Sequence, residues 1–135
     1  MINGKYGYKN SKGDVIIKPQ FDMAWGFFSG YAFVYNRKLD RYAIIDETGN
    51  FVKDYIFHYI YDLGPIITAT YTKYGRYLII DKKGDEILPP IFNSINVDSP
   101  FAGTVNDKIV KLNNKGLPLD IKSIKNLIIG VFSWN

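Results

Sequence analysis

The chain has 135 residues, 47% hydrophobic and 22% charged, enough for one domain with its own core and too apolar for a disordered polymer. It has no cysteine, which excludes disulfides and thiolate metal sites. The net charge of +4 is mild, and the arginines, Arg37, Arg41 and Arg76, do not form the clustered stripe of a nucleic-acid binder, so nucleic acid is not expected as a partner.

Aromatic residues make up 16% of the chain, with eleven Tyr and nine Phe, a composition that favours strands. The opening "MINGKYGYKN" holds no apolar run of signal-peptide length, and no stretch reaches the length of a membrane span. A cytoplasmic protein with no membrane span is expected.

In chain order, a strand is predicted through Tyr6 and Tyr8, then a turn at "NSKG" (10–13), then an apolar strand through Val15, Ile16 and Ile17, edged by Pro19 and ending near Phe21. The loop "DMAWGFFS" follows. The stretch "GYAFVYN" then alternates, with Ala32 and Val34 on one face and Tyr31, Phe33 and Tyr35 on the other. The pattern recurs. "DETG" (46–49), "DKKG" (81–84) and "NNKG" (113–116) repeat the turn, with glycines 36, 35 and 32 residues apart. Asn or Asp opens each turn, where its side chain caps the backbone, and Gly closes it with a positive φ. Tyr6, Tyr42, Tyr77 and Ile109 precede the turns at one spacing, and Phe21, Phe57, Phe92 and Ile124 follow at another. The third strand is echoed by "GPIITATY" and "PFAGTV". Three strands in each of about three and a half units predict roughly ten short strands.

This pattern resembles the WG-repeat proteins of bacteria. Gly7, Tyr8, Gly13, Pro19, Phe21, Asp22, Ala24, Phe27, Gly30, Ala32 and Val34 fall in register with the family unit, and "RYLIIDKKGDEILPPIFN" matches in the third unit. The literal Trp25–Gly26 pair is out of register. The family's Trp-Gly falls at Tyr6–Gly7, Tyr42–Ala43 and Tyr77–Leu78, so Tyr replaces Trp throughout. The resemblance covers about residues 3–119 and implies a β-rich repeat fold with interaction roles. It implies no shared catalytic activity and transfers no site residues.

The expected fold class is all-β: a single domain over 1–135, with repeat units at about 3–39, 40–74, 75–107 and 108–119 and a divergent C-terminal cap at 120–135. Two arrangements satisfy it, an antiparallel barrel or propeller-like ring and an open curved stack. One unit cannot bury both faces of its hairpin, so neighbours must stack. The expected core is Tyr6, Tyr8, Ile16, Phe21, Ala32, Val34, Tyr42, Ile44, Phe57, Tyr77, Ile79, Leu88 and Phe92. In the tail, Ile121, Ile124, Leu127 and Ile128 stand at helical spacing, which would suit a short helix.

Few residues suggest chemistry. His58 is the lone histidine, so a multi-histidine metal site is excluded, and a strand position describes it better than catalysis. Asp46 and Asp81 read as turn caps rather than an acid–base pair. "KKGDE" lacks phosphate-loop spacing. No enzyme, cofactor or metal is therefore expected. The aromatics carry more information. Trp25, Tyr31, Phe33, Tyr35, Tyr59 and Tyr61, with Arg37 and Arg41, are types enriched at protein-binding hot spots, and Phe33 suits either core or surface. A non-catalytic protein-binding module is expected, with a cognate toxin as a candidate partner if the chain is an immunity protein. The chain's positive charge counts against a nuclease toxin, whose inhibitors are often acidic, unless the binding face is locally acidic, as Asp40, Asp46, Glu47, Asp54 and Asp62 would make it. The alternative is a glycan or cell-wall binding module in which the same aromatics stack on sugars.

Overall fold

Four side chains close the turns on which the fold is hung. The structure, a computed structural model, describes residues 2–64, 66–96, 101–113, 115, 117 and 118. Asn10 Oδ1 accepts from the backbone N–H groups of Lys12 and Asp14, each at 3.0 Å. Asp46 Oδ1 accepts from Thr48 and Asn50 at 2.9 and 3.1 Å, Asp81 Oδ1 from Asp85 at 3.0 Å, and Asn113 Oδ1 from Lys115 and Leu117 at 2.8 and 3.1 Å. This is the capping that the turn motif predicts. Gly49 exits its turn at φ +90°, and a Cβ there would touch the Ile17 side chain at 3.4 Å. The glycine therefore serves both the turn and the stacking of one repeat on the next.

The described residues are all-β. The strands are β1 (Tyr6–Lys9), β2 (Val15–Phe21), β3 (Met23–Ala24), β4 (Tyr31–Asn36), β5 (Arg41–Asp46), β6 (Phe51–Phe57), β7 (Tyr59–Asp62), β8 (Ile67–Thr70), β9 (Tyr77–Ile80), β10 (Glu86–Phe92), β11 (Ser94–Asn96), β12 (Ala102–Val105) and β13 (Lys108–Lys111). They form open antiparallel sheets in the orders β1-β2, β3-β4-β5-β6, β7-β8-β9-β10 and β11-β12-β13. Among the described residues no sheet closes into a barrel. Among the described residues no helix is long and apolar enough to cross a membrane.

The pairing shows the repeat residue by residue. Tyr6 faces Phe21, Tyr8 faces Ile17 and Lys9 faces Val15. Tyr42 faces Phe57, Ile44 faces Lys53 and Ile45 faces Phe51. Tyr77 faces Phe92, Ile79 faces Leu88 and Ile80 faces Glu86. Register shifts fall at the same intervals in all three hairpins. In each hairpin the shift beside the repeat tyrosine places two extra residues on the second strand and the other shift places one, and both bend it.

A single residue then separates that strand from the next: Asp22, His58 or Asn93, following Phe21, Phe57 or Phe92. Asp22 Oδ2 accepts the Arg37 N–H at 2.7 Å, and Asn93 Oδ1 accepts the Asn106 N–H at 2.9 Å. Each ties its corner to the turn of the next hairpin. The chain changes sheet at these corners, so every sheet after the first joins the end of one sequence unit to the hairpin of the following one.

By its contacts the chain divides into two compact units. The first is Met1–Tyr59 with Lys82–Gly84, and the second is Ile60–Asp81 with Asp85–Asn135. In the first, Ile17, Phe21, Ala32, Val34, Ala43 and Ile45 form a buried cluster. In the second, Ile66, Ile79, Leu88, Ile91, Phe92, Val105, Val110 and Leu112 do so. There Gly103 lets the Phe92 ring rest on the backbone, where any Cβ would collide with it.

Phe21, Ala32, Val34, Ile44, Phe57, Ile79, Leu88 and Phe92 are buried as expected. Ile16 is not; it is 54% exposed, while Ile17 is 4% exposed. Strand periodicity explains the correction, because Ile17 shares the face of Phe21 and Ile16 points the other way. Tyr6 is also exposed, and Tyr8, Tyr42 and Tyr77 are only half-buried. The suggested tail helix and the cap at 120–135 lie outside the described residues.

The register makes a sharp prediction. Ile17→Ala should cost about 2–5 kcal/mol, and Phe21→Ala about 3–5 kcal/mol. Ile16→Ala should stay within about 0.5 kcal/mol. Urea denaturation of the three variants tests this; an Ile16 variant as damaged as the Ile17 variant would refute the register.

Candidate functional site

The sheet β3-β4-β5-β6 carries an aromatic patch centred on Tyr42, in the first unit. Tyr42 stands opposite Tyr35 in the β4–β5 ladder, and their ring centroids are 4.9 Å apart. The Trp25 ring lies 5.5 Å from that of Tyr42 at a tilt of 44°. Trp25 extends β3 by donating its N–H to Phe33 O at 3.0 Å, and its own carbonyl accepts the Tyr8 hydroxyl at 2.6 Å. The Trp25 backbone is thus held at both its polar groups, and the residue stays 40% exposed. Such tilted aromatic pairs contribute about 0.5–1.5 kcal/mol beyond simple burial.

Charged groups frame the rings. The β4–β5 turn is closed by Asn36 Oδ1, which accepts the Leu39 N–H at 2.9 Å. Asp40, in the left-handed region at φ +53°, accepts the Tyr35 hydroxyl at 2.6 Å. That bond pushes the Tyr35 phenol up to about 12, because ionising it would bring two negative charges together. Burial raises the Tyr42 phenol. The Arg41 guanidinium donates to Asp40 O at 2.8 Å and lies 2.9 Å from His58 Nδ1. Arginine can only donate, so Nδ1 is the acceptor and the ring proton sits on Nε2. Tyr59 packs edge-on against His58, with centroids 4.4 Å apart.

Asp22, the corner residue of the first repeat, takes the Lys5 ammonium at 2.6 Å, and this bond holds its carboxyl below the usual carboxylate range. The basic residue before the repeat tyrosine thus meets the corner residue in two repeats, Lys5 with Asp22 and Arg41 with His58.

Of the residues singled out in the sequence, Trp25, Phe33, Tyr35, Arg41 and Tyr59 gather around Tyr42. Tyr31 lies at the far end of β4, opposite Asp46. Arg37 is exposed and enters the site only through its backbone bond to Asp22. Tyr61 belongs to the second unit, where its ring lies 6.1 Å from that of Tyr77. The pairs Trp25–Tyr42 and Tyr61–Tyr77 are repeat equivalents. His58 is buried at a corner rather than within a strand. The sequence reading missed Tyr42 and Tyr77 as surface residues by assigning them to the core. The signal was there, in the basic residue that immediately precedes each. Among the described residues, no three His, Cys, Asp or Glu side chains are grouped to hold a metal ion.

The raised phenols set a pH limit. Tyr8 and Tyr71, like Tyr35, are pushed up to about 12, in both cases chiefly by burial. A phenol whose folded value lies above its unfolded value of about 10 favours the fold in its neutral form. The contribution is complete below about pH 10 and is lost as the pH rises toward 12. Ultraviolet difference spectra should therefore show a late group of ionising tyrosines accompanied by unfolding. Asp40→Asn should move one of them earlier; an unchanged titration would refute the Tyr35–Asp40 bond.

Residues 6–39 and 79–103 match the family described as "WG containing repeat". The intervening segment is not matched, although its hairpin from Tyr42 to Phe57 keeps the same register as the other two. No curated protein and no solved structure matches the chain significantly. Over those two stretches, whose hairpins share one register, this chain is similar to the WG-repeat family.

Proposed function

We propose that the chain is a non-catalytic binding domain and that its ligand is another protein. One observation carries this reading: the pre-ordered patch of Trp25, Tyr35 and Tyr42 beside Arg41. The Trp25 backbone is bonded at both its polar groups, the Tyr35 hydroxyl is held by Asp40, and both rings pack on Tyr42, so part of the side-chain freedom is already lost before docking. Trp, Tyr and Arg are the residues that most often dominate protein interfaces. The specific form of the reading is an immunity protein that covers the active site of a cognate toxin. Its support comes from the sequence alone: a cysteine-free chain with one histidine and no catalytic motif.

The protein encoded beside this chain's gene is the first partner to test, by calorimetry. Trp25→Ala should weaken a stoichiometric complex about 30-fold, the equivalent of about 2 kcal/mol, in a variant that is still folded at the measuring temperature although its Tm falls with the lost Tyr42 contact. Loss of that partner's toxicity in the complex would support the immunity form. Retention on cell-wall glycan that Trp25→Ala abolishes would transfer the patch to sugar binding. If neither the encoded neighbour nor affinity capture from the source organism yields a protein partner, the reading fails.

A further inference from the structure

Around one framework, the two units carry different side chains. Trp25, Phe33, Tyr42, His58 and Tyr59 in the first unit correspond to Tyr61, Thr68, Tyr77, Asn93 and Ser94 in the second. The pairing fixes the correspondence. Phe33 faces Ile44 as Thr68 faces Ile79, and Tyr42 faces Phe57 as Tyr77 faces Phe92. His58 and Asn93 each occupy the one-residue corner, and Tyr59 and Ser94 follow them. Two of the five positions stay aromatic. The other three exchange a ring for a small polar group.

Those exchanges fall on the walls of a cleft of about 320 Å³ in the second unit, which Tyr61, Thr68, Tyr77, Asn93 and Ser94 line together with Leu63 and Ile95. No charged side chain lines it. We propose that this cleft receives an aromatic side chain, a tyrosine by preference, from a protein partner. What occupies the equivalent places in the first unit indicates the ligand: phenyl, imidazole and phenol rings. The volume is at the lower end of ligand pockets, about 300–1,000 Å³, which suits one side chain better than a large ligand. The Tyr61 and Tyr77 rings supply aromatic walls, and Thr68 and Leu63 add apolar surface. Asn93 Oδ1 is engaged by the Asn106 N–H at 2.9 Å, so the Asn93 amide presents its NH₂ as a donor, and Ser94 offers a hydroxyl. Both suit a phenol oxygen. That the ring belongs to a protein rests on the protein-binding reading above; that the cleft takes a ring does not.

Titration with p-cresol, the tyrosine side-chain analogue, followed by NMR of the labelled full chain, tests the cleft directly, with methyl β-glucoside as the competing chemistry. The expected result is saturable p-cresol shifts at Thr68, Ser94 and Ile95 and none with the glucoside. Ser94→Tyr, at an exposed position, restores the first unit's ring and should weaken p-cresol binding at least tenfold while first-unit resonances stay in place. Thr68→Phe should do the same if its Tm shows it folded. No saturable p-cresol shift, shifts with the glucoside alone, or full p-cresol binding in folded Ser94→Tyr each overturns the proposal. If p-cresol binds but no protein partner is found, the cleft stands and the protein-binding reading fails.

Discussion

The burial of one phenylalanine at the end of each hairpin is the constraint from which the rest follows. Phe21, Phe57 and Phe92 are almost wholly removed from water, and each is paired across its ladder with the repeat tyrosine. Burying such a ring contributes about 1.5–3 kcal/mol, more than any single surface contact nearby. Because the ring is anchored inward, the next residue must turn the chain, and the corner at Asp22, His58 or Asn93 results. Its tyrosine partner across the ladder is exposed in the first repeat and half-buried in the next two. The same contact that builds the core therefore sets a row of phenols at the surface, each preceded by a basic residue.

What distinguishes the repeats from one another is the polar chemistry at that corner. Asp22 binds an ammonium and a turn N–H, His58 accepts from a guanidinium, and Asn93 accepts a turn N–H. A carboxylate, an imidazole and an amide all serve there as acceptors, the first and last for a turn N–H and the imidazole for a guanidinium. The corner can consequently vary without loss of fold, and its variation changes what the adjoining aromatic face presents.

Much of the fold was legible in the sequence because its signals are local. An Asx side chain and a glycine three residues on specify a turn wherever they occur, and the recurrence of Phe21, Phe57 and Phe92 specified the period. The depth of each position was less legible. Ile16 and Ile17 are both apolar β-branched residues, and only parity with Phe21 separates them. Tyr42 and Tyr77 recur as faithfully as the core residues do, and recurrence alone does not tell a buried ring from a half-exposed one. Of the site, Trp25, Tyr35 and Arg41 could be named from residue type. Their convergence on Tyr42 depends on cross-strand register, and the cleft beside Tyr77 depends on which residues follow a corner two strands away.

The mismatch between sequence units and sheets also bears on how such a chain can be cut. A fragment ending where the first sequence unit ends, near residue 39, would keep β3 and β4 but strip β4 of its partner β5, leaving an unprotected edge open to pairing with other chains. A boundary at Asp22, His58 or Asn93 cuts no ladder. The heritable module of this protein is therefore out of phase with its architectural one: the sequence period opens on a hairpin whereas the sheets divide at the corners, and of the three corners only His58 splits neither buried cluster, which makes it the junction to choose for expression or a chimaera.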